Sequence, residues 1–335
     1  MDPLTHAVAS LALQRAFFPR ASWRVVGAIV VAGTAADVDW FAVGLGPEGY
    51  LHWHRTATHS IAFVLVLAVA VVLVSKATQR AAVADWRGFP WTAIALAALL
   101  HLFLDALQPD SIALLWPFSS RRFALDLLPR IDPWLLTVLI AAILLPELFR
   151  LVSDEIGARS KRPRGSSGAV VGLSLALLHL ALRALLHANT VASLEAHTIA
   201  GETPHRVGAF PDSASPFLWH SVVETESALH LVVMRSMGGE VSYASGVTTL
   251  HKPEPSPMLA AAQNSGAAIT FVRFARFPKA TVQTELEGYS VEIQDLKDQA
   301  AEEKSRVIFA DINLDKNSRV VSSELQWQRG SDRAR

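Results

Sequence analysis

Cysteine is absent from the 335-residue chain. Disulfides and thiolate zinc sites are therefore excluded, and any metal must be held by His, Asp, Glu or water. Charge is sparse as well, with Asp, Glu, Lys and Arg making up 18% of residues against about 25% in ordinary soluble domains. The 30 Lys and Arg are balanced by 30 Asp and Glu, so there is no global basic field to draw in nucleic acid. What is abundant is apolar: 51% of residues are hydrophobic. This composition belongs to a membrane protein with a soluble part.

The charges divide the chain. Residues 1–200 contain long uncharged runs, whereas residues 201–335 hold 14 Lys/Arg and 17 Asp/Glu in a strand-like pattern. The expected fold is an α-helical membrane domain of about six helices over residues 1–190, followed by a small β-rich extramembrane domain over 200–335. No repeat at a fixed period is evident, and the basic, Gly/Ser-rich stretch Arg159–Ser167 reads as a loop between membrane helices.

Asp2 is placed to cap a first helix with Pro3 at its first position, running to Phe18. An N-terminus this acidic is unlike a signal peptide. Apolar helices follow at about 23–44, 60–75, 91–107, 133–149 and 168–187. Several are shorter than the roughly 20 residues that span a bilayer, so they must continue into polar ends or line a hydrated cavity. Runs such as Ile61–Val74, uncharged on every face, argue against a soluble bundle. Six crossings place 11 Lys/Arg on one side and four on the other: Arg55, Arg121, Arg122 and Arg130. The positive-inside rule then puts the N-terminus and the C-terminal domain outside, on the periplasmic face of a bacterial inner membrane.

The same topology gathers the polar residues at the outer mouth. In residues 95–105, ALAALLHLFLD, His101 and Asp105 stand four apart on one helical face inside an apolar run. Such a pair is costly in hydrocarbon unless paired, hydrated or metal-bound, and imidazole with carboxylate suits Zn²⁺ or a similar divalent ion. A buried His bonded to a nearby Asp is also a common structural arrangement. His6 opens the first helix, Asp37 and Asp39 end the second, His52, His54, Arg55 and His59 precede the third, and Asp110, Asp126 and Asp132 follow the fourth. Five of the 12 histidines fall in the first 105 residues, all at this mouth. The expected ligands are His6, Asp39, His54, His59, His101 and Asp105, around one or two zinc or similar ions, with His52 outside the tighter group.

PLTH near the start, AADVDW, HRTATHS, HLFLDALQPD, WPFSSRRFALD and IDP together resemble the YdjM-type inner-membrane proteins, a family described as membrane-bound metal-dependent hydrolases. The resemblance covers about residues 1–150 and carries over His6, Asp37, Asp39, His54, Arg55, His59, His101, Asp105, Asp126 and Asp132 as polar motif residues. It implies a hydrolase without fixing a substrate. The order His6, Asp39, His59, His101, Asp105 is also similar to that of the zinc phospholipase C and P1 nuclease group. The later His-x-x-x-Glu of that group is missing, since Arg183 follows His179 by four, which favours one or two metals over three.

A hydrolase of this kind would attack with a metal-activated water, because no nucleophile-elbow serine is present. Asp37 or Asp126 would serve as general base and Asp105 could bridge two ions, while Arg55 or the Arg121/Arg122 pair could hold a substrate phosphate. Contact with lipid headgroups is the plain alternative for Arg121 and Arg122. A lipid or lipid-linked phosphoester is the expected substrate class, with the bilayer as partner. The competing class is a non-catalytic metal or lipid carrier, against which the lack of paired, repeat-related halves argues.

In the C-terminal part, PFLWHSVVETESALHLVVMRS and AITFVRFARFP read as strands. Asp311-x-Asn313-x-Asp315-x-Asn317 invites a calcium-loop reading, but Lys316 stands where an EF-hand needs Gly, and a hairpin turn is favoured. His205, His220, His230 and His251 are isolated.

Overall fold

A computed structural model describes residues 1–78, 90–155, 166–300 and 307–328. Arg80 and Arg87, which enter the charge count above, lie outside the described residues, as does the basic stretch 159–167 apart from its last two serines. The chain divides into two compact units, one of residues 1–40 and 53–184, the other of 41–52 and 185–335.

The first unit is helical. Helix α1 (Pro3–Phe17) starts where Asp2 accepts the Thr5 amide at 3.0 Å, with Pro3 in the first turn where its missing N–H costs nothing. Helix α2 (Trp23–Thr34) passes directly into a 3-10 segment (Ala35–Leu45) and then α3 (Gly46–Trp53). After a polar turn come α4 (Ile61–Thr78), α5 (Pro90–Ala106), α6 (Pro133–Glu155) and α7 (Ser166–Ala196). Three of these stretches are long and apolar enough to cross a membrane: Trp23–Trp53, Pro133–Arg150 and Ser166–Ala196. Ile61–Val74 and Trp91–Ala106 are apolar but shorter.

Small side chains set the packing. Ala28, Ala32, Ala68, Ala93, Ala97 and Ala98 let α2, α4 and α5 approach closely around Ile29, Val64 and Ile94. Ala9, Ala12, Leu104, Leu135, Leu139 and Ala176 form a second core among α1, α5, α6 and α7. Gly172 lets α7 lie on α6, because a Cβ there would stand 2.1 Å from the Ala142 Cβ. Meanwhile Val66, Val69, Leu73, Leu177 and Leu178 face outward and are exposed. Apolar side chains on the outside of an apolar bundle are what a hydrocarbon solvent selects.

The second unit is β-rich. Strands β1 (Arg206–Pro211), β2 (Leu218–Glu224), β3 (Ala228–Met237), β4 (Glu240–Tyr243) and β5 (Thr248–His251) form one antiparallel sheet in which β3 pairs with β2, β4 and β5. Strands β6 (Pro278–Glu285), β7 (Gly288–Asp295), β8 (Ile308–Asp315) and β9 (Val320–Trp327) form an antiparallel meander. Helices α8 (Pro257–Gln263), α9 (Gly266–Val272) and α10 (Leu296–Ala300) accompany them. The strand expected over AITFVRFARFP is corrected: residues 268–272 are helical, residues 273–277 form a turn and bend, and only Pro278 belongs to a strand, β6. Ser265 caps α9 by accepting from the Ala268 amide, and Ala267, Ala268 and Phe271 bury one helical face. The Asp311–Asn317 segment runs along β8 into a turn, where the Asp315 carboxylate accepts the Asn317 and Arg319 amides at 2.8 Å.

Candidate metal centre

Helix α5 ends with His101 and Asp105 on one face, Nε2 to Oδ2 at 3.2 Å, both buried. His101 is oriented from behind: its Nδ1 lies 2.9 Å from the Gly33 carbonyl of α2. A carbonyl can only accept, so Nδ1 carries a hydrogen and Nε2 is the nitrogen turned forward into the group. The contact needs close approach, because a Cβ on Gly33 would lie 2.0 Å from Ser10 Oγ of α1. Glycine at 33 thus lets α1, α2 and α5 meet at the site.

His59, in the turn before α4, is held the same way by a carboxylate. Its Nδ1 is 3.0 Å from Asp39 Oδ2, and its Nε2 is 2.9 Å from Asp105 Oδ2 and 3.2 Å from His101 Nε2. Asp39 is itself saturated by His54 Nδ1 at 3.1 Å, the Arg55 amide at 2.8 Å and the Thr58 hydroxyl at 2.6 Å. The 3-10 winding of residues 35–45 turns Asp37 the other way, so that its Oδ1 stands 3.8 Å from His59 Nε2 and 3.7 Å from His101 Nε2. Two carboxylates two residues apart therefore reach opposite nitrogens of one imidazole. His6 completes the group by stacking on His101 with ring centroids 3.8 Å apart, its Nε2 3.4 Å from Asp105 Oδ1.

Donor atoms of His6, Asp37, His101 and Asp105 all lie within 4.8 Å of one another. Both ring nitrogens of His6, Asp37 Oδ2 and Asp105 Oδ2 are buried without an aligned hydrogen bond among the described residues. Buried polar atoms left this way cost free energy unless another group satisfies them. Positive charge already gathers on Asp105, which pairs with the Met1 ammonium and, at 3.3 Å, with Arg55 Nη2. The residues fit a divalent cation: nitrogen and oxygen donors, two of the rings oriented from behind, converging in a largely buried place.

The other expected site residues fall around this group. Arg55 is buried, with its guanidinium bonded to Asp105, to Gln108 Oε1 at 2.5 Å and to the Asp110 carbonyl at 2.7 Å. His54 stands behind Asp39 with its ring centroid 6.4 Å from that of His59. Asp126 is buried in the loop after α5 at φ 57°, between residues whose amides bond the Ala106 and Leu107 carbonyls. Asp132 caps α6 through the Leu135 amide and accepts His179 Nε2 at 3.2 Å. His52 belongs to the other compact unit. Arg122 is tied to Ser111 Oγ at 3.0 Å and the Ser111 carbonyl at 2.6 Å.

Sequence reasoning missed Gly33, Thr58 and Gln108. Gln108 could have been read from its place three residues after Asp105, in the turn that follows α5; its amide nitrogen bonds the Pro129 and Arg130 carbonyls while its oxygen takes Arg55. Gly33 carried only the weak signal of a glycine inside an apolar helix.

A helical unit with an apolar exterior, and with imidazoles and carboxylates buried at one end, defines a membrane protein with a group that could hold a metal ion. The family model described as YdjM inner membrane protein matches residues 1–190. The chain belongs to that family. No curated protein and no solved structure matches it.

Proposed function

We infer that the chain is a membrane-bound metal-dependent hydrolase acting on a phosphoester of a lipid or lipid-linked substrate. The observation that carries this reading is the pair of imidazoles, His59 and His101. Each has its Nδ1 fixed by a protein acceptor, and their Nε2 atoms converge at 3.2 Å beside Asp105. Lone pairs so close repel unless a cation or proton lies between them. His6, Asp37, His59, His101 and Asp105 would hold the ion, and a divalent ion there would acidify water and stabilise negative charge developing on the phosphate.

The chain's own residues do the rest. Asp39 and the Gly33 carbonyl hold the two imidazoles in register, and Arg55 holds Asp105, so these act as positioning residues. Asp37, whose side chain is 19% exposed, stands at the open edge of the group. As general base its carboxylate would take the proton as a water oxygen bonds to phosphorus, and the departing alkoxide would be protonated from solvent. Multi-pass insertion with the site and C-terminus outward follows from the split of basic residues. A reporter fused after Arg335 is then active only when exported.

Metal analysis of the purified full chain, with and without His101→Ala, tests the centre. On the order of one or two divalent ions per chain are expected in the parent and none in the variant. A metal-loaded chain that cleaves no phosphomonoester, phosphodiester or phospholipid overturns the hydrolase and leaves a metal- or lipid-carrying protein.

A further inference from the structure

Between α5 and α6 the chain makes a small hairpin closed by Ile112 and Phe123, whose amides and carbonyls bond each other at 2.9 Å in both directions. Its base is polar and anchored to the site's own turn: Ala113 donates to the Arg55 carbonyl at 3.1 Å and Arg122 bonds Ser111 and Thr56. Its tip is the reverse. Leu115 is 45% exposed, Trp116 37% and Phe118 89%. Leu125, Ile131 and Trp134, at the same ends of α5 and α6, are exposed as well. Arg121, also exposed, lies over the Phe123 ring at 5.3 Å and has no carboxylate partner among the described residues.

Large exposed aromatics on a loop of an inner-membrane protein fit the headgroup layer, where an apolar body and a wet neighbour are both accommodated. A guanidinium in that layer meets phosphate. We propose that this hairpin tip is a lipid-docking surface: Trp116 and Phe118 enter the boundary between headgroups and acyl chains, and Arg121 takes the phosphate of an anionic phospholipid. The charge complementarity of Arg121, set among apolar side chains, selects that occupant over neutral lipid. Because the hairpin base is bonded to Arg55 and Thr56, a lipid held at the tip is presented beside the donor group. In that respect the proposal rests on the lipid-substrate reading.

The absence of cysteine allows a clean test. Phe118→Cys in the full chain, labelled with bimane, is reconstituted in vesicles of phosphatidylcholine and phosphatidylglycerol carrying bromine near the headgroup of one lipid or the other. Strong quenching is expected, with brominated phosphatidylglycerol roughly fivefold more effective than brominated phosphatidylcholine, as one basic side chain at a membrane surface gives. Arg121→Gln should bring that ratio to about one. Quenching by aqueous iodide alone, shielding from both quenchers by a second copy or another part of the chain, equal quenching by the two lipids, or a preference that survives Arg121→Gln each overturns the proposal. Metal content should be unchanged in both variants, so failure here leaves the metal centre standing, and loss of the metal centre leaves this measurement intact.

Discussion

His220 and His230 of the β-rich unit are held in the opposite way to His59 and His101 of the helical unit. In the β-rich unit, His220 Nε2 meets Asp212 at 3.0 Å, and His230 is bonded to Thr225 at 3.2 Å and Thr249 at 3.0 Å, so local neighbours satisfy the rings. In the helical unit, the protein satisfies only the rear nitrogens of His59 and His101 and leaves the front ones facing a carboxylate and each other. The first pattern consumes bonding capacity and gives stability. The second leaves donor atoms grouped where they could hold a metal ion.

The comparison breaks most sharply at Asp105. Asp105→Asn should abolish bound metal and, by leaving Arg55 without its carboxylate, cost about 3–5 kcal/mol of stability, as breaking a buried pair does; metal analysis and thermal unfolding in detergent read both. Retention of metal would show that the front nitrogens alone suffice. One shell out, Asp39→Asn should weaken metal binding roughly 10–100-fold by freeing the His59 ring, measured by competition with a chelator. Asp212→Asn should leave that affinity unchanged.

Smaller effects sharpen the contrast. Gly33→Ala forces a methyl against Ser10 Oγ, and overpacking of this kind costs about 1–3 kcal/mol. Gly33→Ala combined with Ser10→Gly should recover most of the loss in the same unfolding measurement. At Asp212, partial burial works to raise the carboxyl, but the His220 hydrogen bond and the Ser215 and Ala214 amides outweigh it and hold the group below its ordinary value. A depressed carboxyl contributes stability above its unfolded value, about 3.9, and loses it as pH falls through the folded one. The difference between parent and Asp212→Asn, at most about 1 kcal/mol after solvent screening, should therefore be present at neutral pH and close below about pH 4.

Much of the helical unit was legible because hydrocarbon imposes a simple rule on sequence. Asp2 and Pro3 announced α1, and Pro90–Ala106 lies within a residue of its expected bounds. His6, His59, His101 and Asp105 could be gathered because polar groups in apolar runs have few reasons to be there. The second helix was harder: it was expected to reach residue 44, yet α2 ends at Thr34 and winds on as 3-10. Apolar composition does not distinguish the two windings, and only the second separates the directions of Asp37 and Asp39. Arg55 shows the other limit. An arginine beside histidines reads as an anion clamp, but its donors go to Asp105, Gln108 and a carbonyl, a choice set by tertiary geometry. AITFV failed as a strand because β-branched and aromatic residues outweighed the Ser265 cap.

The change of winding in the second helix also bears on how deep Asp37 would lie in a bilayer. A 3-10 residue advances about 2.0 Å where an α residue advances about 1.5 Å, so an untilted path from Trp23 carries Asp37 about 22 Å, against a hydrocarbon slab of about 30 Å. With Trp23 at one surface, Asp37 would lie about 8 Å beneath the other, at a depth that shifts with the thickness of the bilayer.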